Sequence, residues 1–406
     1  MAISRFRPNL TLAEAGSFLR AQLPVGGVTP EQFERRFGDQ VLGGRRVVLA
    51  PSGRIALYWI LAGMELEPGS EVITQSFNFP AVPAAILATG AVPRFVDLKR
   101  DAFELDPDGV AAAIGPKTKA VLVTHLYGNA ADLDPIREIC ADKGVTLLED
   151  CGQAVGASYK GQTLGTIGYA TLFTFGATKN FTILGGGAVA CGDPAHGERV
   201  AALASRNPRV GRRKTLKLAA SAAGMSVVTS PIPFNLGVFP VIRVMSLFGG
   251  DPIAGALEEK VEPLTGVERA AVPSAQMVSV GMTQLDRLDK MNQARERNGW
   301  YLRARLQDCP GLTLPPTQEG SVFLSFPVFH PDRDALSAAL QRRGVDSTTG
   351  FMMDCSTLDL FDHQGGPCPE TQRALREILH IPVHPFLRRK HLDQIGDATE
   401  AALREV

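Results

Sequence analysis

The sequence has no excess of charge of either sign: 42 basic and 42 acidic side chains balance over 406 residues. Without a basic surplus or stripe, the chain is not expected to bind nucleic acid. Cysteine is sparse and scattered. Cys140, Cys151, Cys191, Cys309, Cys355 and Cys368 form no CxxC pair and no Cys/His ligand spacing. This argues against a disulfide framework or a zinc site and fits reduced thiols in a cytosol, so no metal is expected. The first ten residues lack the apolar core of a signal peptide, which gives a soluble, cytoplasmic chain as the expectation. Internal repeats and low-complexity tracts are absent too. What is present, 45% hydrophobic and 21% charged residues, is the profile of a folded globular chain.

A chain of this length holds roughly two to three domains, or one large domain with a smaller appendage. Residues 1–30 read as an irregular arm carrying a short helix. Thr29 as N-cap, Pro30 at the first helical position and Gln32 at the capping-box position then announce a helix. From Val47 onward short apolar strands alternate with helices. Strands are expected at Val47–Ala50, Val72–Thr74, Arg94–Asp97, Ala120–Leu126, Thr146–Asp150, Thr171–Phe175 and Gly187–Cys191. Helices open at Ser52-Gly53, running to about Leu66, and after Pro80, Pro107 and Asp134. The alternation predicts an α/β fold, a mostly parallel sheet covered by helices. A smaller α+β unit starts near Leu312, with a strand at Val322–Val328, helices at Arg333–Arg343 and Glu370–Leu379, and a last helix toward Val406. The expected division is 1–200 for the arm and large domain, 201–265 for an insertion, 266–310 for a long connecting helix, and 311–406 for the small domain.

Three stretches carry chemistry. Asp150 ends its strand, where open α/β sheets bind ligands, although an acid there equally serves as a helix cap. Lys179 follows an apolar strand in Thr174-Phe-Gly-Ala-Thr-Lys-Asn180 and precedes Gly185-Gly-Gly187. Desolvation in such a setting frees an amine to act as a nucleophile, whereas a lysine in a surface loop is the commoner case. Pro51-Ser-Gly-Arg-Ile-Ala56 is a strand-to-helix turn whose free N–H groups suit a phosphate, or it is an ordinary Ser-capped turn. Together the three match what pyridoxal phosphate requires: a phosphate cradle, an acid for the pyridine nitrogen and a lysine for the Schiff base.

Further motifs stand in order along the chain: Ser52-Gly-Arg-Ile-Ala-Leu57, Pro68-Gly-Ser-Glu-Val-Ile73, Ser76-Phe-Asn-Phe79, Phe95-Val-Asp97 and Pro116-Lys-Thr-Lys-Ala-Val121. They continue with His125-Leu-Tyr-Gly128, Glu149-Asp-Cys-Gly-Gln-Ala154, the lysine and glycine stretches above, and Ile381-Pro-Val-His-Pro385. The set resembles the DegT/DnrJ/StrS aminotransferases, pyridoxal 5'-phosphate enzymes of fold type I that mostly aminate keto-sugar nucleotides. The likeness is dense over roughly 1–200 and thin over 275–406.

The resemblance implies that Lys179 is the internal-aldimine lysine and the acid/base, and that Asp150 pairs with the ring nitrogen. It implies that Gln153 lies near the phenolic edge, that Phe79 stacks on the ring, and that Thr174, Ser52, Gly53 and Arg54 serve the phosphate. The family usually has Thr where this chain has Arg54. It also commonly has an Asn-Tyr-Arg-like motif reaching the partner subunit's site, which Glu268–Gln276 lacks; Arg269 is the one candidate substitute. The implied protein is a homodimeric aminotransferase with its active site at the subunit interface. It takes the amine from a glutamate-like donor and gives it to a keto or aldehyde acceptor, most simply a keto-sugar nucleotide. Lys179 speaks against the family's sugar dehydratases, and a non-catalytic scaffold of the same fold is the remaining rival.

Acidic residues are missing altogether between Glu198 and Asp251. Arg206, Arg209, Arg212, Arg213, Lys214 and Lys217 cluster first, and Leu218–Ile242 then runs 25 residues without a charge. Arg243 and Val244–Phe248 follow. Pro231, Pro233 and Pro240 exclude one continuous membrane-spanning helix. Two readings fit: a buried helical hairpin on the dimer interface, or a hairpin over 206–248 that binds an anionic membrane surface. In the second, the enzyme sits peripherally at the inner face of the membrane and serves a lipid-linked acceptor.

Overall fold

The computed structural model describes residues 1–23, 27–246, 261–361 and 364–406. Leu247 and Phe248 of the apolar run, Asp251, and the 247–260 part of the expected insertion lie outside the described residues.

The strands are β1 Arg46–Ala50, β2 Glu71–Gln75, β3 Phe77–Asn78, β4 Val92–Val96, β5 Thr118–Thr124, β6 Thr146–Asp150, β7 Ser158–Tyr159, β8 Gln162–Thr163, β9 Ala170–Thr174 and β10 Gly187–Cys191. Toward the C-terminus follow β11 Phe326–Phe329, β12 Met353–Asp354 and β13 Ile378–Ile381. Seven of them form one sheet in the order β1-β10-β9-β6-β5-β2-β4. Strand β10 runs antiparallel to β1 and β9, and the other neighbours are parallel. The fold is therefore α/β, a large mostly parallel sheet with helices on both faces.

Both faces are apolar because both are covered, so the central strands read as near-continuous hydrophobic runs. On one face, Phe33 and Phe37 of the Pro30–Val41 helix pack on Phe173, Phe175 and Phe181; the Phe37 ring centre lies 5.3 Å from that of Phe173. Each fully buried phenylalanine there contributes about 2–3 kcal/mol by leaving water. On the other face, Trp59, Ile60 and Leu61 of the Gly53–Gly63 helix cover Val48, Leu122, Leu148, Leu172 and Val189. The Thr29 capping box forms as the sequence predicts, with Gln32 N–H donating to Thr29 Oγ1 at 3.2 Å.

Several expected elements shift. Strand β5 stops at Thr124, and Leu126–Gly128 form a tight turn with Tyr127 at φ 60°. Residues 322–325 are not a strand: Val322 N–H donates to Gly128 O at 2.8 Å, and Ser325 N–H to Tyr127 O. These bonds cross to the Leu126–Gly128 turn, and regular pairing starts only at Phe326. The expected helix Glu370–Leu379 is Pro369–Glu377; Ile378 and Leu379 belong to β13, where pairing with β11 outweighs helix propensity. Between 266 and 310 there are two helices, Ala275–Leu285 and Leu288–Leu306, instead of one.

The uncharged run forms the Arg212–Val228 helix and a second helical stretch, Pro231–Met245, bent 65° from it at a break of four residues or fewer. Among the described residues no single helix is long and apolar enough to cross a membrane. Leu218, Ala219 and Ala222 pack on Phe18, Leu184 and Val280, while Phe234, Phe239 and Ile242 close a small cluster near Ala2. The hairpin is not buried within the protomer, since Ile232 is 68% and Leu236 79% exposed.

Candidate active site

Strand parity builds the site. Side chains alternate along a strand, so Leu148 and Asp150 of β6 share a face with Ala170, Leu172 and Thr174 of the neighbouring β9. Register supports this, with Leu148 opposite Ala170 and Asp150 opposite Leu172. On that face, at the carboxyl ends of the parallel strands, the Gly53–Gly63 helix begins. Ser52 caps it and accepts the Ile55 N–H at 3.4 Å.

Three glycines make the helix start approachable. A Cβ on Gly53 would lie 2.0 Å from Thr174 Oγ1, and one on Gly187 would lie 2.9 Å from Gly53 N. One on Gly152 would stand 3.0 Å from both Asp150 Oδ1 and Thr174 Oγ1. Thr174 Oγ1 has no hydrogen-bond partner among the described residues, so a hydroxyl and the N–H groups of the helix start face one small cradle. Arg54 sits exposed on the first helical turn, where its backbone N–H adds to the same end.

Asp150 is 7% exposed. Burial raises its carboxyl above the ordinary range, opposed by the Gly152 N–H (2.8 Å) and by the charge of Lys179. Its neighbour Glu149 points to the opposite face and is fully buried. Burial alone would raise Glu149, but the His125 hydrogen bond and the Gly165 and Gly168 N–H groups bring it below the ordinary value. His125 Nδ1 accepts the Ala131 N–H at 3.1 Å, so the ring proton is on Nε2 and donates to Glu149 Oε2 at 3.3 Å. His125, Glu149 and Cys151 offer ligand atoms within 4.8 Å of one another, yet these bonds already use the histidine and carboxylate lone pairs a metal would need. The network instead fixes the end of β6 from which Asp150 projects. Neither His125 nor Glu149 has a role legible in the sequence motifs that contain them.

Lys179 sits in a turn, its N–H donating to Gly176 O at 3.1 Å. Desolvation lowers its pKa, with Asp150 pulling the other way. Among the described residues its amine has no ion-pair partner. Asn180 beside it is buried and tied down, donating Nδ2–H to Val155 O at 2.7 Å. Phe79 is half-buried and makes no ring contact among the described residues, unlike most phenylalanines here. Gln153 Oε1 accepts the Tyr127 N–H at 2.9 Å, which couples it to the Leu126–Gly128 turn. Residues 267–269 form a short turn, and Arg269 is not placed in the cradle by any contact; Pro273 closes on Gly186 instead, 2.6 Å from where its Cβ would be.

A flat, anionic aldehyde cofactor fits this set. The cradle has no room for extra side-chain atoms but offers the Gly53 N–H and the Thr174 O–H to a phosphate. The buried acid suits a ring N–H, the free aromatic face suits a planar ring, and the unpaired amine suits a carbonyl.

The family model described as the DegT/DnrJ/EryC1/StrS aminotransferase family matches residues 10–228 and 275–400. The dTDP-3-amino-3,4,6-trideoxy-alpha-D-glucose transaminase of Streptomyces venezuelae is 29% identical over 353 residues, covering 86% of this chain and 80% of that one. The UDP-N-acetyl-3-dehydro-alpha-D-glucosamine 3-aminotransferase of Acidithiobacillus ferrooxidans is 27% identical, covering 87% and 83%. Among solved structures, S. venezuelae DesV in complex with a ketimine intermediate superposes with a TM-score of 0.77 at 27% identity, covering 97% of this chain and 95% of that one.

Proposed function

The chain belongs to the DegT/DnrJ/EryC1/StrS aminotransferase family, and on that premise we propose that it transfers an amino group from a glutamate-like donor to a keto-sugar nucleotide. It is a pyridoxal-phosphate-dependent aminotransferase. The observation that carries the proposal is the convergence of Gly53, Thr174 and Asp150 on one sheet face, with Lys179 in the turn after β9.

Bound pyridoxal phosphate supplies an electron sink for the carbon whose proton must move. Ser52, Gly53, Arg54 and Thr174 would hold its phosphate by backbone N–H groups and one hydroxyl. Asp150 would keep the ring nitrogen protonated, its negative charge favoured once a cation lies beside it. Phe79 would offer the ring an apolar face without a competing charge, and Gln153 would meet its phenolic edge. Lys179 would hold the cofactor covalently and then move the proton, because desolvation raises its fraction of free amine at neutral pH.

The same proposal takes the protein as a cytoplasmic homodimer sharing the site across its interface. The exposed Leu12, Leu19 and Leu23 of the N-terminal arm support it by offering apolar surface to a second copy. A second reading, a lipid-linked or membrane-proximal acceptor, is favoured by one observation. The Arg212–Lys217 basic cluster leads directly into a hairpin with Val227, Val228, Ile232, Leu236, Val241 and Val244 exposed.

The experiment is an acceptor screen. Enzyme converted to its amino form with L-glutamate is offered keto-sugar nucleotides and lipid-linked carbonyls, and return of the original absorbance is followed. Return with nucleotide sugars supports the first reading, return only with lipid-linked carbonyls supports the second, and no conversion by glutamate contradicts both.

A further inference from the structure

A helix on the surface of a globular chain keeps a polar outer face, whereas one that is apolar all round is buried or faces lipid. The Pro231–Met245 stretch is apolar on both sides and yet exposed. Its inner side packs through Phe234, Phe239 and Ile242. Its outer side carries Ile232, Leu236, Val241, Val244 and Met245 in the open, and Arg243 is its only charge. The Arg212–Val228 helix before it is two-sided as well. Thr215, Leu218, Ala219 and Ala222 recur every three or four positions and face the protein. Arg212, Arg213, Lys214 and Lys217 stand exposed at its start and make no ion pair among the described residues.

Both helices are fastened to the body, which holds the exposed face in place. Asn235 Oδ1 accepts the Ala2 N–H at 2.6 Å, and its Nδ2 donates to Ala2 O at 3.1 Å. Thr215 Oγ1 lies 3.1 Å from Ser274 Oγ. Leu218, Ala219 and Ala222 pack in one cluster with Ala177 and Leu184, which flank Lys179 in sequence. One helix thus separates the lysine turn from the outer face, a thickness of about 10 Å. The family model stops at residue 228 and resumes at 275, so the second helix lies between its two matched stretches.

We propose that this outer face docks shallowly on an anionic lipid bilayer and holds the lysine turn close to its surface. This deepens the membrane-proximal reading above, on whose location it rests, by naming the contact face, its lipid and its depth. The four basic side chains meet the headgroups, while Ile232, Leu236, Val241 and Val244 enter the acyl boundary. A nucleic acid would match the cations and leave the apolar side in water. A second copy across a two-fold axis would bring the same unpaired cations from both copies to one interface, where they repel. A spanning or re-entrant insertion would pull the inner faces away from Ala2, Phe18 and Leu184, so the contact is shallow.

The test is flotation of the cofactor-loaded protein with vesicles of phosphatidylcholine and phosphatidylglycerol in equal parts, and with phosphatidylcholine alone. Wild type is expected to float with the mixed vesicles at low salt and to float less as salt rises. Ile232→Ser combined with Leu236→Ser should weaken that binding by about tenfold or more. Both side chains are exposed, so the fold is not at risk. Arg213→Gln, Lys214→Gln and Lys217→Gln together should lower binding to the level seen on phosphatidylcholine alone. Wild type left at the bottom, equal binding to both vesicle types, or unchanged binding by the Ile232→Ser, Leu236→Ser variant overturns the proposal. If that variant instead halves the mass seen by light scattering, the face belongs to a second copy, which also overturns it. Retention of wild type on the vesicles after an alkaline carbonate wash shows deep insertion and overturns the shallow contact. Binding is read without donor or acceptor, so failure to find a lipid-linked acceptor is a separate result.

Discussion

Asp150 and Glu104 are both buried carboxyls pushed upward by desolvation, but their surroundings set them to different tasks. Asp150 faces Lys179 and the Gly152 N–H at the cradle. Asp150→Asn keeps the shape and loses the charge that would hold a proton on the ring nitrogen. It should slow the glutamate half-reaction by more than about tenfold, roughly 1.4 kcal/mol of barrier, with an unchanged melting temperature; a rate within tenfold removes the role assigned to it. Glu104 lines a cavity of about 30 Å³ with Tyr127 and Phe323, and its Oε1 has no hydrogen-bond partner among the described residues. Burial raises it to about 7, against the Asp132 backbone N–H. The folded protein thus holds a proton that the unfolded chain, titrating near 4.3, has already released. Stability from this group is fully present below about pH 4 and falls as pH rises to about 7, by roughly 4 kcal/mol at most. Glu104→Gln should therefore melt at a higher temperature than wild type at pH 8 and at nearly the same temperature at pH 4.5. Equal gains at both values contradict this.

At the scale of elements, the site's main strands are legible in the sequence to within a residue or two. Alternation along Thr146–Asp150 and Ala170–Thr174 puts Asp150 and Thr174 on one face only once the register, Asp150 opposite Leu172, is known. What is not legible depends on contacts distant in sequence. The Leu126–Gly128 turn, with Tyr127 at positive φ, is held by residues 322–325, nearly 200 positions away, and neither segment has a local signature of the other. The Glu149–His125 pair looks like ordinary strand-end polarity until the Gly165 and Gly168 N–H groups fold back on the carboxylate. The uncharged run shows the opposite case: composition makes it conspicuous, but its exposure needed the structure. Six basic residues at about 1 kcal/mol each would hold it reversibly on an anionic surface. On the membrane-proximal reading, the protein co-sediments with anionic liposomes at low salt, and a charge-neutralised 206–217 variant stays in the supernatant. Wild type remaining in the supernatant makes the hairpin a protein-facing element.

At the scale of the whole molecule, the arm, the two-faced sheet and the Leu288–Leu306 helix meet around one lysine turn. Asn9 from the arm and Asn292 from the Leu288–Leu306 helix both bond Asn180. Exposed leucines on the arm lead to the expectation of a dimer by light scattering at micromolar concentration, and a monomer there contradicts a shared site. The central claim is that Lys179 carries pyridoxal phosphate at the cradle formed by Gly53, Thr174 and Asp150. It is tested most directly by reducing the purified protein with borohydride and mapping the modified peptide by mass spectrometry. The account predicts a single phosphopyridoxyl adduct on Lys179, absent in Lys179→Ala; an adduct on another lysine, or none on cofactor-saturated wild type, contradicts it.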